Sequence, residues 1–318
     1  MTATFASVAD LQGALASTGY LADTDVSTAL FLALKLERPL FLEGEAGVGK
    51  TELARALATV TGGELIRLQC YEGIDQATAL YEWDYPRQML EIRRLEGATQ
   101  DSGLRTQDSG RETQGSGLRR RGAAGGDIFS EEFLIKRPLL RAIQSTGVVP
   151  PVLLIDEIDR ADEEFEAFLL ELLADFAVTI PELGTLRATQ RPRVILTSNR
   201  TREVHDALKR RCFYHWIDYP TASRELEILQ SRLPNIGKRL AAEVVAFVQR
   251  LRASDLSKLP GVAETIDWAS ALEALGAKQL SPEDIDRTLG VLLKYQEDVT
   301  RLKGDGARTL FAEVTAGR

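Results

Sequence analysis

Residues 39–51 read PLFLEGEAGVGKT, and the chain continues as ELARALATV over 52–60. Leu40, Phe41 and Leu42 form an apolar run too short for a helix ahead of the glycines, so a buried strand fits it. Leu53, Ala54, Leu57 and Val60 then share one side of a helix. Strand, glycine loop and helix in that order predict a phosphate-binding loop across Gly44, Glu45, Ala46, Gly47, Val48, Gly49, Lys50 and Thr51, with Glu52 in the first helical turn. The glycines let backbone N–H groups converge on phosphate oxygens, and the helix start adds favourable partial charge. Lys50 is expected to reach the β- and γ-phosphates, and the Thr51 hydroxyl to hold magnesium.

Outward from this loop, the pattern alternates strand and helix. Residues 6–37 predict two helices broken near Gly19, with apolar faces on Leu11 and Leu15, then on Val26, Leu30 and Leu34. A second strand is expected at 64–69. The stretch from Cys70 to Leu95 is rich in aromatics and acids, and its centre reads as a helix interrupted by Pro86. Three tandem units follow, TQDSGLR at 99–105, TQDSGRE at 106–112 and TQGSGLR at 113–119. They carry almost nothing apolar, so residues 97–126 read as a flexible surface insert and a poor place for catalysis, with a mobile loop that contacts a partner or substrate as the alternative. A helix is expected over 136–146. Val152 to Ile155 reads as a central parallel strand, and Phe165, Phe168, Leu169, Leu172, Leu173 and Phe176 mark a strongly periodic helix. Residues 178–188 look like a small hairpin or loop, and strands follow at 194–197 and in FYHWIDYP. After Pro220 the pattern is helical throughout, with Ser281 placed as a helix cap. The expected organisation is an α/β domain over 1–221 and a small helical domain over 222–318.

Three further stations carry chemistry. Asp156 and Glu157 close the apolar strand VLLI, where two adjacent acids are costly without a cation or partner. Asp156 is placed to hold magnesium through a water, and Glu157 to polarise an attacking water. Asn199 sits at the tip of the next strand, in LTSN, where a neutral amide can hold water or a γ-phosphate. Lys209-Arg210-Arg211 follows VHDAL. The plain reading is a surface charge cluster. The sharper one is an arginine finger that enters a neighbouring subunit's site, with Arg211 the first choice and Arg210 the second.

Composition narrows the partners. The 318 residues carry a net charge of -8, which speaks against a bulk surface for duplex nucleic acid. Two cysteines and two histidines cannot supply a disulfide scaffold or a four-cysteine zinc site. No apolar stretch approaches the ~20 residues of a membrane span. The N-terminus does not read as a signal peptide, so a reduced, cytoplasmic protein is expected.

The four stations GEAGVGKT, LLIDEIDRA, LTSN and ALKRR together resemble the AAA+ ATPases, in order and spacing. More specifically, RLQCYEGID, ALYEWDYPRQML, EEFLIKRPLLRAI, FLLELLADFAVTIPELGTL, HDALKRRCFYHWIDYP and LPGVAETIDWA are similar to the MoxR-type branch. Within it they resemble the ATPases that accompany maturation of molybdenum-containing carbon monoxide dehydrogenase. The resemblance covers nearly all of 20–300 outside the repeats. It implies a P-loop NTPase αβα sandwich followed by a helical lid, with ATP and Mg²⁺ as the bound pair. Lys50 and Thr51 would be the loop lysine and hydroxyl, Asp156 and Glu157 the magnesium acid and catalytic glutamate, Asn199 the first sensor, and Arg211 or Arg210 the finger. It further implies a hexameric ring that remodels a metalloenzyme client for metal or cofactor insertion, with a von Willebrand factor A domain protein as partner.

The chain departs from the pattern in two places. GVAETIDWA has Val262, Ala263 and Glu264 where many lids carry a second-sensor arginine, and the repeat insert has no counterpart. Two other classes stay open from sequence: an ATP-binding assembly scaffold with little turnover, and a nucleic-acid-directed motor.

Overall fold

The computed structural model describes residues 5–102 and 128–316. Two helices lead in, α1 (Val8–Ser17) and α2 (Thr24–Lys35), each capped by a side chain, Ser7 and Asp23 respectively. Then come β1 (Leu40–Gly44), α3 (Lys50–Thr61), β2 (Leu65–Gln69), α4 (Gln76–Leu80), β3 (Tyr81–Trp83), α5 (Tyr85–Ser102), β4 (Leu134–Lys136) and α6 (Pro138–Ile143). The α/β part ends with β5 (Val152–Asp156), α7 (Glu163–Asp175), β6 (Ala177–Ile180), β7 (Gly184–Arg187), β8 (Arg193–Ser198), α8 (Asp206–Arg211) and β9 (Phe213–Ile217).

Five strands form one parallel sheet in the order β2-β5-β8-β1-β9. Both faces are covered, which is why β1 and β5 read as unbroken apolar runs. Alternate residues of a strand serve opposite faces. Leu40 and Leu42 pack with Leu11, Leu15, Leu30, Leu53 and Leu57 of α1, α2 and α3. Phe41 turns to the other side, with Leu139, Leu140, Leu169 and Leu172 of α6 and α7. The result is a helix–sheet–helix sandwich whose strand C-termini share one edge, where ligands of open α/β sheets bind.

Two details differ from the sequence reading. Pro86 does not interrupt a helix. It is the second residue of α5, where its missing N–H costs nothing, and a short antiparallel pair, β3 with β4, comes before and after that helix. Helix α5 also runs on to Ser102, into the first residues of the stretch read as an insert. The rest of that stretch lies outside the described residues. The small hairpin is β6 with β7.

From Ala222 onward every described element is a helix: α9 (Ala222–Arg232), α10 (Lys238–Arg252), α11 (Val262–Ala274), α12 (Pro282–Leu292), α13 (Gln296–Leu302) and α14 (Asp305–Ala316). Ser281 caps α12 by accepting from the Asp284 N–H at 3.1 Å. These helices enclose their own core around Phe247 and Trp268, whose rings lie 5.4 Å apart. The Trp268 indole N–H donates to Thr288 Oγ1 at 2.7 Å, so the one polar atom of that ring is satisfied inside the core. Among the described residues, no helix is long and apolar enough to cross a membrane.

Candidate nucleotide site

The loop between β1 and α3 is shaped by its glycines. Gly47 and Gly49 take φ of 80° and 96°, a region that side chains strain to enter. At Gly44 a Cβ would lie 2.3 Å from the carbonyl oxygen of Ile217 on β9, so the loop leaves the sheet where only glycine fits. Lys50 opens α3 and is 6% exposed. Its Nζ donates to the Gly44 and Glu45 carbonyls at 2.6 and 2.7 Å. Burial lowers its pKa to about 8, against the pull of Asp159, Glu45, Asp156 and Glu157. The bonds to loop carbonyls aim the ammonium into the loop, where a phosphate oxygen can replace a carbonyl.

Across the loop, β5 delivers the two acids. Asp156 is 3% exposed. The Thr51 hydroxyl donates to its Oδ1 at 3.1 Å, and Thr197 on β8 donates to the same oxygen. The Thr197 oxygen in turn accepts the Glu157 N–H at 3.0 Å, so one hydroxyl ties the acids together. Glu157 itself takes a left-handed φ of 55°, which turns its side chain off the strand end. Its Oε1 accepts from Asn199 Nδ2 at 3.4 Å, and its Oε2 pairs with Arg160 Nε at 2.8 Å. Buried Asp159 fixes the turn that carries Asn199. It accepts from the Asn199 N–H at 3.2 Å, the Thr201 N–H at 2.9 Å and the Thr201 hydroxyl at 2.7 Å.

These groups open on a cleft of about 1070 Å³ between the sheet edge and the C-terminal helices. The loop residues Ala46 to Glu52, with Asp156, Glu157, Thr197 and Asn199, form its floor. Tyr20 to Val26 close one side, and Ile228, Val262, Ala263 and Ile266 close the other. An apolar slot beside a polar phosphate cradle suits a purine nucleotide. Glu52 also lines the cleft and accepts from Arg232 of α9 at 2.7 Å.

Lys50, Thr51, Asp156, Glu157 and Asn199 thus converge. Arg210 and Arg211 do not: they stand in the exposed last turn of α8 and are not among the residues lining the cleft. Arg211 donates to the Leu170 carbonyl at 2.9 Å on its own chain. Lys209, beside them, lies 3.6 Å from Glu43. Sequence reasoning missed Arg67, which reaches Asp156 from β2 through a contact no motif records. Thr197, Asp159 and Arg160 stand inside LTSN and LLIDEIDRA, but the groups each one touches show only in the fold. Cys70 sits next to the acids, but burial and their charge push its thiol up to about 12, which keeps it protonated and inert.

The geometry is that of a phosphate-binding loop facing paired acids and a sensor amide across a cleft, which defines a nucleotide-hydrolysing class. The family model described as AAA domain (dynein-related subfamily) matches residues 39–212, more than half of the chain. The chain belongs to this AAA family and is an ATPase. Among solved structures it is similar in fold to the Thermotoga maritima RuvB Holliday junction branch migration motor, at 17% identity, with 84% of this chain and 67% of that chain covered and a TM-score of 0.43. For a point mutant of the same protein the values are 16%, 94%, 76% and 0.47.

Proposed function

We propose that this chain is a MoxR-type ATPase whose hydrolysis cycle remodels a protein client, in the setting of metalloenzyme maturation. The observation that carries the catalytic part is the meeting of Glu157 and Asn199 beside Asp156 and Thr51 at the mouth of the phosphate loop. The donor set fits magnesium: a threonine hydroxyl and a carboxylate, both hard oxygens, lie 3.1 Å apart at the phosphate end. Thr51 and Asp156 would hold it, and when bound it supplies positive charge to the β- and γ-phosphate oxygens.

The chain's own residues do the rest. Lys50 exchanges the Gly44 and Glu45 carbonyls for phosphate oxygens. Asn199 holds Glu157 and the attacking water in one line. Glu157 takes the proton of that water as its oxygen bonds the γ-phosphorus, and the bond to the ADP oxygen breaks. Arg211, or Arg210 beside it, would enter the site of the next subunit in a hexameric ring, since it stands outside its own cleft. Residues 222–318 would act as the lid, and their movement against the α/β part would work on the client. A von Willebrand factor A domain protein is the partner that the MoxR resemblance implies.

The test is steady-state phosphate release from a Glu157→Gln variant. Turnover is expected to fall by roughly 10²- to 10⁴-fold with ATP binding retained. Wild-type turnover would remove Glu157 from the role of base. The same variant, held in ATP, should retain the client in affinity capture.

A further inference from the structure

Asp156 carries a partner that no motif announces. Strand β2 runs beside β5, with Arg67 opposite Leu154 and Gln69 opposite Asp156. From there the Arg67 guanidinium reaches Asp156 Oδ2 with both Nε, at 2.9 Å, and Nη2, at 2.6 Å. Nη2 also touches the Gln69 side-chain oxygen. The Asp156 side chain is only 4% exposed, whereas Arg67 is 45% exposed. One end of the pair is fixed inside the protein and the other has open space to swing into.

We propose that Arg67 is a positioning residue that competes with magnesium for Asp156, so that it sets how much magnesium the ATPase needs. This rests on the reading of Asp156 as the magnesium acid. Oδ1 accepts from the hydroxyls of Thr51 and Thr197, and Oδ2 lies 3.3 Å from the same Thr51 hydroxyl that would share the cation, yet Arg67 occupies Oδ2 with two nitrogens. A guanidinium and a divalent ion on one buried carboxylate repel each other strongly at low dielectric. Arg67 is the one that can leave, because its exposed side chain regains water when it swings away. Until it leaves, it supplies the counter-charge that a buried carboxylate needs. Coupling of this kind is reciprocal: magnesium nucleotide loosens Arg67, and Arg67 weakens magnesium nucleotide.

The experiment compares wild type, Arg67→Gln, Arg67→Lys and Asp156→Asn. It uses a fluorescent ATP analogue titrated at a series of MgCl₂ concentrations, with thermal unfolding in EDTA as a second readout. In Arg67→Gln the half-saturating magnesium concentration is expected to drop by roughly fivefold or more, the lower end of ordinary site coupling. Its Tm in EDTA should fall, and most of that loss should return with magnesium and ATP. Arg67→Lys, with one charge and no fork, should lie between. A purely structural arginine would give the opposite sign, because a loosened site needs more magnesium. An unchanged or raised magnesium requirement in both Arg67 variants, while Asp156→Asn loses its magnesium response, overturns the proposal alone. If Asp156→Asn keeps the wild-type magnesium response, the reading of the site itself falls.

Discussion

Ala263, at the start of α11, donates its N–H to the carbonyl of Gly47 in the phosphate loop, 3.2 Å away. The contact is made backbone to backbone because both sides are glycine-lined. A Cβ on Gly261 would lie 2.6 Å from the Ala46 oxygen and 2.8 Å from Gly47 Cα, and one on Gly47 would meet Glu264 Oε2 at 2.7 Å. The loop expected to cradle phosphate is therefore also the seat of the C-terminal helices. Gly261→Ala should push α11 off the loop, with a strain of about 1–3 kcal/mol where neighbours cannot give. Weaker binding of a fluorescent ATP analogue, with cooperative thermal unfolding retained, is the expected outcome. Unchanged affinity would mean that this seat does not shape the cleft.

If Lys50 holds the ATP phosphates as proposed, binding should depend on pH in a defined direction. Burial lowers its pKa to about 8, and phosphate binding needs the charged form. Above that value, the free protein must take up a proton as ATP binds. Affinity should then fall by about tenfold per pH unit until the ordinary lysine range is reached. Calorimetry at pH 9 in two buffers of different ionisation enthalpy should show proton uptake approaching one per ATP, absent in Lys50→Met. Folding stability moves the other way. The unfolded chain holds more protons over this window, so the burial penalty on Lys50 fades as pH rises above 8.

The parts of the site legible in sequence are those written locally. An apolar run, a glycine spacing and a helix stripe sit within a few residues of one another in 40–60, and the same holds for the strand ending in Asp156 and Glu157. Asn199 follows from its place at the end of β8. What escaped is non-local or very short. Strand β3 is three residues long, too brief to show a period, so its aromatics read as part of a helix. Arg67 lies 89 positions from Asp156, and Thr197 lies 41, so their bonds exist only once β2, β5 and β8 are adjacent. Pro86 starts α5 rather than breaking a helix, and a proline in either position looks alike in sequence without the strand β3 that precedes it.

Asp159 is predicted to matter through Asn199 rather than through substrate. It is buried and accepts three hydrogen bonds from the 199–201 turn. Asp159→Ala would leave two backbone N–H groups and a hydroxyl without that acceptor; Thr201 is exposed, so water replaces part of the loss, and a group that water cannot reach costs about 1–3 kcal/mol. A Tm clearly below wild type is expected, together with a kcat that falls more than KM rises, because the Asn199 amide loses its aim at Glu157. Thr201→Val removes only the hydroxyl and should give a smaller change in both. If Asp159→Ala unfolds outright, the Thr201 variant still reads the link to kcat.

The placement of Arg211 yields a test of trans catalysis. Within its own chain the side chain makes an exposed bond to the Leu170 carbonyl, worth about 0.5–1.5 kcal/mol, so Arg211→Ala should unfold close to wild type. If Arg211 is the finger, turnover should nevertheless drop by about 10³-fold or more, as for other supplied arginines. Mixing this variant with Lys50→Ala subunits separates cis from trans. Each subunit alone is inactive, but a Lys50→Ala subunit still offers an intact Arg211 to the next subunit, whose own loop is intact in the Arg211→Ala chain. Regained phosphate release in proven mixed assemblies is the expected result; release that stays at background would rule out action of Arg211 in trans, and wild-type turnover by Arg211→Ala alone would move the finger to Arg210. Repeating the mix with Arg210→Ala decides between the two arginines, since only the true finger mutant should be silent alone and active in company.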